Sequence, residues 1–504
     1  MKFPLLFPLA FVLVCTLMLA REPLKPFMEK CPITLTLDDA VATALRQNPQ
    51  ILTAKAEISR TKGQVIEVRA QALPQVSLSA IYQQQDPNLV QGTSTQAGGQ
   101  RLGTAPTPSP VATPTPTPSP GVLPSPTPRA SPTPSIFIQD KTWQVTVQAN
   151  QLLYSGGQVT SAIRIARLTQ DASYFKLRDT VNTVVSTVRT QFYQVLVNRA
   201  LIGVQEESVA LLASQLKDQE KRLAAGTVPR FNVLQAQVAL ANARPNLIQA
   251  RNNYRISQLQ LAKTLGYETE SLTANQNPFY AIGELSIPAP AMDLACALQT
   301  ARERNPSLKA QRQNILIEVE DIVLQKAGYK PTLNANVGYT LENDRVSRNL
   351  GDVVNGWFFG IQGNWAIFDG GATYGKVKQA RAKLEQAKFN YDDTVQQVDL
   401  QVQQAWANLL QARETIDSGR ATVEQATEAV RLARERLGAG AGTQLDVLNA
   451  AVQLTQAQTT ELQARNSYNA ALAEFDRVTA ICTKYDETFP DPLARRMNLK
   501  IQEK

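Results

Sequence analysis

Four short stretches of the chain alternate apolar and polar residues with period two, and the long stretches that follow them carry apolar positions every three or four residues. Val76, Leu78, Ala80 and Tyr82 alternate with Gln75, Ser77 and Ser79, and Trp143, Val145, Val147 and Ala149 alternate with Gln144, Thr146, Gln148 and Asn150. Further on, Leu333, Ala335, Val337, Tyr339 and Leu341 alternate with Thr332, Asn334, Asn336 and Thr340. In the fourth stretch Trp357, Phe359, Ile361 and Trp365 alternate with Gln362 and Asn364. This is the period of strands with one apolar and one polar face, expected at about 73–83, 137–153, 331–342 and 356–368. Each has the length of a membrane β-strand, and the polar face lacks charge, as a water-filled lumen would want. A half-buried strand of a soluble sandwich alternates in the same way.

Between strands the pattern changes to helix. No proline interrupts 157–225 or 371–437, and at about 1.5 Å per residue each segment spans roughly 100 Å. Val181, Val184, Val185, Val188, Phe192, Val195 and Leu196 form a coiled-coil-like stripe. A tip turn (226–231, then 438–444) and a return helix (232–265, then 445–480) follow each long helix. The whole arrangement is duplicated: pairing Asn48-Pro49 with Asn305-Pro306 sets an offset of 257 that also carries Pro74 onto Pro331 and Tyr82 onto Tyr339. Past the second strand the offset is 214, carrying Gly156-Gly157 onto Gly370-Gly371, Arg222-Leu223 onto Arg436-Leu437 and Tyr254 onto Tyr468. The difference of 43 is extra sequence between the first two strands. The expected division is a first repeat at 21–283, a second at 284–482 and a tail at 483–504.

That extra sequence is a loop at 84–136, with twelve prolines between 106 and 134, a composition that forms neither helix nor ladder hydrogen bonds. At the N-terminus, Lys2 and the apolar run 5–19 read as an export signal ending near Ala20. Cys31, Cys296 and Cys482 are too scattered for a disulfide framework. The net charge of +8 is mild over 504 residues, and no basic run interleaved with aromatics suggests nucleic acid. The chain has no histidine, the commonest general base and metal ligand, so neither an enzyme nor a metal or other cofactor is expected.

Four strands cannot close a barrel, and an open sheet edge is not tolerated in lipid. Three copies give twelve strands, so a cyclic homotrimer in an outer membrane is the economical solution. For strand 1 to run outward and strand 2 back, the proline-rich loop must lie outside the cell.

Taken together, the opening Leu-x-x-Ala-x-x-x-Ala-Leu-x-x-Asn-Pro at Leu37–Pro49, the strand-to-helix Tyr154-Ser155-Gly156-Gly157 and Phe368-Asp369-Gly370-Gly371, and the turns ending Asn232-Val233-Leu234 and Asp446-Val447-Leu448 resemble the TolC family of outer-membrane efflux channels. The resemblance runs from Leu37 to about Thr479. It implies a mainly α fold with a transmembrane β-barrel: a twelve-stranded trimeric barrel continued by a periplasmic α-helical tunnel, with an equatorial collar from residues around 266–300 and the C-terminal tail. Its function would be the passive exit duct of a tripartite efflux or type I secretion system. The implied partners are outer-membrane lipid, a periplasmic adaptor (membrane fusion) protein and an inner-membrane transporter of RND, ABC or MFS type.

The resemblance also assigns residues. Adaptor docking falls on Gly226, Thr227 and Pro229 in the first tip and on Gly440, Gly442 and Thr443 in the second. The pore constriction maps to Asp446, with Asn449 where the family has a second acid and Asn232 at the equivalent place of the first copy. Gly442 and Leu437 fill the positions of the basic and tyrosine groups that lock such channels shut. Gly156, Gly157, Gly370 and Gly371 mark strand–helix junctions, and Tyr82, Trp143, Tyr339, Trp357 and Trp365 the membrane interfaces. For any single tip residue a plain helix-hairpin turn is an equal reading, and Asp446 also suits a helix start.

Other readings fit the chain less well. A periplasmic adaptor-type protein would need one hairpin flanked by lipoyl-like and barrel domains. A secreted structural coiled coil would leave Trp143, Trp357 and Trp365 without a purpose. Gly438–Gly442 lacks the lysine of a phosphate-binding loop. The pairs Asp38-Asp39 and Asp392-Asp393 read as solvated charges or helix caps.

Overall fold

The strand-forming alternation at Gln75–Gln84, Lys141–Tyr154, Thr332–Asn343 and Val353–Asn364 produces four antiparallel strands, β2, β3, β5 and β6, hydrogen-bonded in that order. They are seen in a computed structural model that describes residues 33–86, 141–267, 279–343 and 351–481. The export signal, all but the first residues of the proline-rich loop, and the tail at 483–504 lie outside the described residues. Two further three-residue strands, β1 (Ile33–Leu35) and β4 (Phe279–Ala281), pair in parallel.

Eight α-helices are described: α1 (Leu37–Gln47), α2 (Pro49–Ala70), α3 (Gln158–Ala224), α4 (Arg230–Leu265), α5 (Leu294–Arg304), α6 (Pro306–Lys326), α7 (Ala372–Gly438) and α8 (Gln444–Thr479). The long helices α3 and α7 have 67 residues each, and the return helices α4 and α8 have 36 each. The fourth strand begins three residues earlier than the alternation suggests and ends at Asn364, so Trp365 falls one residue beyond it. The first tip turn is shorter than 226–231, because Pro229, fixed near φ −73°, caps a helix that starts at Arg230.

The chain folds as two compact units, each built from pieces of both repeats. One takes the described parts of Met1–Pro49, Val184–Ala291 and Ala405–Phe475. Its core is helix on helix: Val184, Val185, Val188, Phe192 and Val195 of the predicted stripe are buried, and Leu409, Ile416, Tyr468 and Leu472 form a cluster in the second copy. The Tyr468 hydroxyl donates to the Pro288 carbonyl at 2.5 Å. Here Thr36 caps α1, and Asp38 and Asp39 fill its first turn, where carboxylates meet the positive end of the helix dipole.

The other unit takes the described parts of Gln50–Thr183, Met292–Gln404 and Asp476–Lys504. It holds the four-stranded sheet, with Ile51, Phe175, Leu177, Val181, Ala297, Ala301 and Leu308 buried among its helices. The Thr61 and Ser173 hydroxyls meet at 3.2 Å, and Arg302 donates twice to Asp399, at 2.9 and 2.6 Å. Among the described residues no helix is long and apolar enough to cross a membrane.

The Asn-Pro pairs of the two repeats do the same work. In each the asparagine ends one helix, and the proline, which needs no N–H partner there, begins the next. The Asn48 amide donates to the Thr264 carbonyl at 2.7 Å and the Asn305 amide to the Val478 carbonyl at 3.1 Å. In both copies an otherwise unpaired carbonyl in the last turn of a return helix is thereby satisfied.

Candidate functional site: a membrane-facing sheet and two hairpin tips

Register turns the alternation into faces. Val76, Leu78, Ala80 and Tyr82 of β2 stand opposite Ala149, Val147, Val145 and Trp143 of β3. Those β3 residues are followed across β5 by Val337, Tyr339 and Leu341, and Val337 and Tyr339 face Phe359 and Trp357 of β6. One side of the sheet is therefore continuously apolar across four strands, and much of it is exposed, with Val76 at 72% and Trp357 at 77%. The other side carries Gln75, Ser77, Gln148, Thr146, Asn336, Thr340 and Gln362, with Thr146 and Thr340 sharing a hydroxyl contact at 3.0 Å. On this side the Phe358 ring lies over Gly338, its partner across the β5–β6 pair. Sequence reading missed that contact because it is visible only with the register.

The aromatics fall into two bands. Tyr82 pairs with Trp143 and Tyr339 with Trp357 toward the loop ends of the strands. Eight residues away, roughly 26 Å at strand rise, Trp365 donates its indole N–H to the Tyr329 carbonyl at 3.1 Å. That separation matches the apolar band of an outer-membrane barrel, about 25 Å tall between aromatic girdles.

The strand–helix junctions repeat as well. Ser155 Oγ accepts from the Val159 amide at 3.3 Å, and its counterpart Asp369 accepts from the Gly371 and Thr373 amides at 3.0 and 2.7 Å. All four glycines that follow have positive φ: Gly156, Gly157, Gly370 and Gly371. At Gly156 a side chain is excluded twice over, since φ is +64° and a Cβ would lie 2.8 Å from Lys330 Cβ.

At the tips, both long helices end in the same Schellman motif. The Gly226 and Gly440 amides donate to the Leu223 and Leu437 carbonyls, and the Thr227 and Ala441 amides to the Arg222 and Arg436 carbonyls. Gly226 and Gly440 take φ +70° and +74°, the left-handed conformation the motif requires. Arg222 also donates to the Leu437 carbonyl of the other copy at 3.5 Å, a cross-hairpin contact that no motif announced.

The return helices start differently. Thr443 and Asp446 form a capping box: Asp446 Oδ2 accepts from the Thr443 amide at 2.9 Å and hydroxyl at 2.8 Å, while Thr443 Oγ1 accepts from the Asp446 amide at 3.2 Å. These bonds, the backbone one foremost, with Arg436 nearby, hold the Asp446 carboxyl below the usual carboxylate range. In the first copy Pro229 stands where Thr443 stands, with neither N–H nor hydroxyl to offer, and Asn232 takes the place of Asp446. Asp446 and Asn449 are exposed, and Asn232 is half-buried. Gly442 packs with its Cα side near Arg436, where a Cβ would meet the Arg436 Cβ at 3.1 Å. Among the described residues no cluster of acids and cysteines could hold a metal ion.

The Outer membrane efflux protein family matches this chain over residues 134–267 and 297–480. Outer membrane efflux protein BepC of Brucella suis is 24% identical over 329 residues, covering 64% of this chain and 69% of that protein. Outer membrane protein TolC of Escherichia coli is 32% identical over 114 residues, 23% of each chain. Among solved structures, the CmeC outer membrane channel of Campylobacter jejuni superposes with a TM-score of 0.70 at 15% identity, over 93% of this chain and 89% of that one. The fold is thus that of TolC-like channels, a β-barrel with a helical tunnel. With the family matched along most of its described length, the chain belongs to the outer membrane efflux proteins, a channel family rather than an enzyme family, placed in the outer membrane with its helices in the periplasm.

Proposed function

We propose that three copies of the chain close a twelve-stranded barrel and act as the passive exit duct of a tripartite efflux or type I secretion system. The observation that carries this is the sheet itself. It has an unbroken apolar face and two open edges, β2 and β6, and β2 is exposed along all ten residues. In lipid each unpaired edge N–H or C=O costs several kcal/mol, so the edges must pair, and β6 of one copy against β2 of the next is the cyclic way to do so. The polar face, uncharged but for Glu342 at the loop end of β5, then lines the lumen, and substrate passes without cofactor or chemistry.

In this reading the two hairpin tips dock a periplasmic adaptor, which joins the duct to an inner-membrane transporter of RND, ABC or MFS type. Gly226, Thr227 and Pro229 would offer one docking turn, and Gly440, Gly442 and Thr443 the other. The Schellman geometry supports it, because both turns present backbone in a fixed shape with little side chain in the way. Asp446 would form a three-membered carboxylate ring at the periplasmic mouth, with Asn449 and Asn232 adding no charge. The test is assembly: the detergent-solubilised protein should have the mass of three chains and conduct ions in a planar bilayer. A monodisperse monomer, or a circular dichroism spectrum dominated by strand, sinks the proposal.

A further inference from the structure

Beneath the second aromatic band lies a pocket that the duct reading does not use. It has a volume of about 500 Å³ and is lined by Lys326, Tyr329 and Lys330 at the end of α6 and the turn after it, and by Tyr374, Val377, Lys378 and Arg381 of α7. On α7 the spacing i, i+3, i+4, i+7 puts Tyr374, Val377, Lys378 and Arg381 on a single face, and the short 3-10 turn Ala327–Tyr329 after α6 brings Lys326, Tyr329 and Lys330 to it. Val377 is buried and forms the floor, while Tyr329 and Tyr374 stand half exposed or more at 50% and 66%.

Four cations line this space and no carboxylate does. None of the four is in an ion pair among the described residues, whereas other arginines of the same unit are: Arg164 with Glu320 at 3.3 Å and Arg302 with Asp399 at 2.6 Å. Four like charges gathered around one cavity repel one another, and an anion seated among them relieves that repulsion. The depth identifies which anion. Tyr329, one of the lining residues, gives its carbonyl to the Trp365 indole, and Trp365 belongs to the band at the helix-bearing end of the sheet. Indoles sit at headgroup level, and basic side chains just outside them meet lipid phosphates. We propose that this pocket binds the phosphate headgroup of an anionic phospholipid from the periplasmic leaflet. The lysines and Arg381 hold the phosphate, and the two tyrosines lie against the glycerol and the first methylenes.

The first repeat does not build such a site. The matching positions are Arg69, Ala72 and Leu73 on one side and Thr160, Ile163, Arg164 and Arg167 on the other. Both tyrosines and one lysine are gone, and Arg164 is tied to Glu320. The expected stoichiometry is one lipid per chain, not two.

The experiment is native mass spectrometry of the full-length protein in detergent, titrated with phosphatidylglycerol and, separately, with phosphatidylethanolamine of the same chains. The wild type should retain one phosphatidylglycerol per chain and bind phosphatidylethanolamine far less. Each cation removed should weaken binding about fivefold, so Lys378→Gln with Arg381→Gln should lose about 25-fold, while Arg69→Gln with Arg167→Gln should change nothing. Should the double variant fail to assemble, Lys330→Gln alone should still show the fivefold loss. Equal retention of the two lipids, or wild-type affinity in the pocket variants, overturns the proposal. So does displacement of phosphatidylglycerol by inorganic phosphate in hundredfold excess, which would make this a site for free phosphate. The readout requires neither conduction nor an adaptor, so it fails or holds independently of the exit-duct reading.

Discussion

A single arginine placed on one face or the other of β5 tests the orientation of the whole sheet. Val337 lies at the middle of the strand, between Ala149 on β3 and Phe359 on β6, and is 49% exposed. Asn336 is its neighbour in sequence and lies between Asn150 and Gly360, pointing to the opposite side. If the apolar face meets lipid, Val337→Arg puts a guanidinium near the bilayer midplane, at a cost of about 2–4 kcal/mol per chain. Three chains closing one barrel would together lose about 6–12 kcal/mol, comparable to the whole stability of a typical domain. Asn336→Arg puts the same charge one residue away in a water-filled lumen, where solvation is retained and the cost is close to zero.

The assay is the fraction of protein running as assembled oligomer in detergent electrophoresis without boiling, followed over a temperature series, together with the amount recovered from outer membranes. Val337→Arg should assemble poorly or melt far below wild type, and Asn336→Arg should track wild type. Because strand, depth and added charge are shared, hydrogen-bonding propensity cannot explain a difference. The reverse order would invert the faces, and equal tolerance of both would mean that the sheet does not stand in lipid.

The same substitution two residues apart should have opposite effects at the second tip. Gly440→Ala forces a Cβ into the left-handed region, a cost of about 1–2 kcal/mol, whereas Gly438→Ala replaces the last helical residue and gains up to about 1 kcal/mol; thermal unfolding of the two variants reads the difference, and a shared sign would refute the Schellman assignment. Asp446→Asn should keep the helix start, because an amide oxygen can still accept from Thr443, but abolish cation selectivity and multivalent-cation block in bilayers. Unchanged conduction with normal assembly would leave Asp446 only its capping role. Since the Thr443 bonds hold its carboxyl below the usual carboxylate range, the cap's contribution to stability should be fully present at neutral pH and be lost only as pH falls into and below that range. A wild-type loss of thermal stability already above about pH 5 that Asp446→Asn removes would contradict the bonded geometry.

How much of this was legible in the sequence depends on the range of the interaction. Strand alternation and proline-free helix runs are local, so all four strands and both long hairpins could be placed to within a few residues. Trp365 was placed inside a strand because its alternation with Asn364 continues past the last ladder bond at Thr332–Asn364. Pro229 moved a helix start for an equally local reason, its preset φ. The contacts that escaped are those between segments far apart in the chain. Phe358 over Gly338, Arg222 on the Leu437 carbonyl and the cations around Val377 each need a register or a helix pairing that no single segment encodes.

Comparison of the two copies separates what the architecture demands from what is free to specialise. Asn48 and Asn305 clamp the return helices alike, Ser155 and Asp369 cap the long helices alike, and Gly226 and Gly440 end them alike. Each of these groups satisfies backbone donors or acceptors that would otherwise be buried or exposed unpaired, so neither copy can lose one without destabilising its own hairpin. The differences fall elsewhere. One return helix begins with a charged capping box and the other with Pro229 and Asn232, and one junction gathers four cations, none ion-paired among the described residues, and two tyrosines, while the other keeps three arginines, one of them paired with Glu320, and no tyrosine. In the proposed ring of three chains these differences would make six tips of two alternating kinds and three four-cation pockets rather than six. A partner or lipid reading that proposed ring would therefore meet threefold rather than sixfold symmetry, although the backbone beneath it would repeat six times.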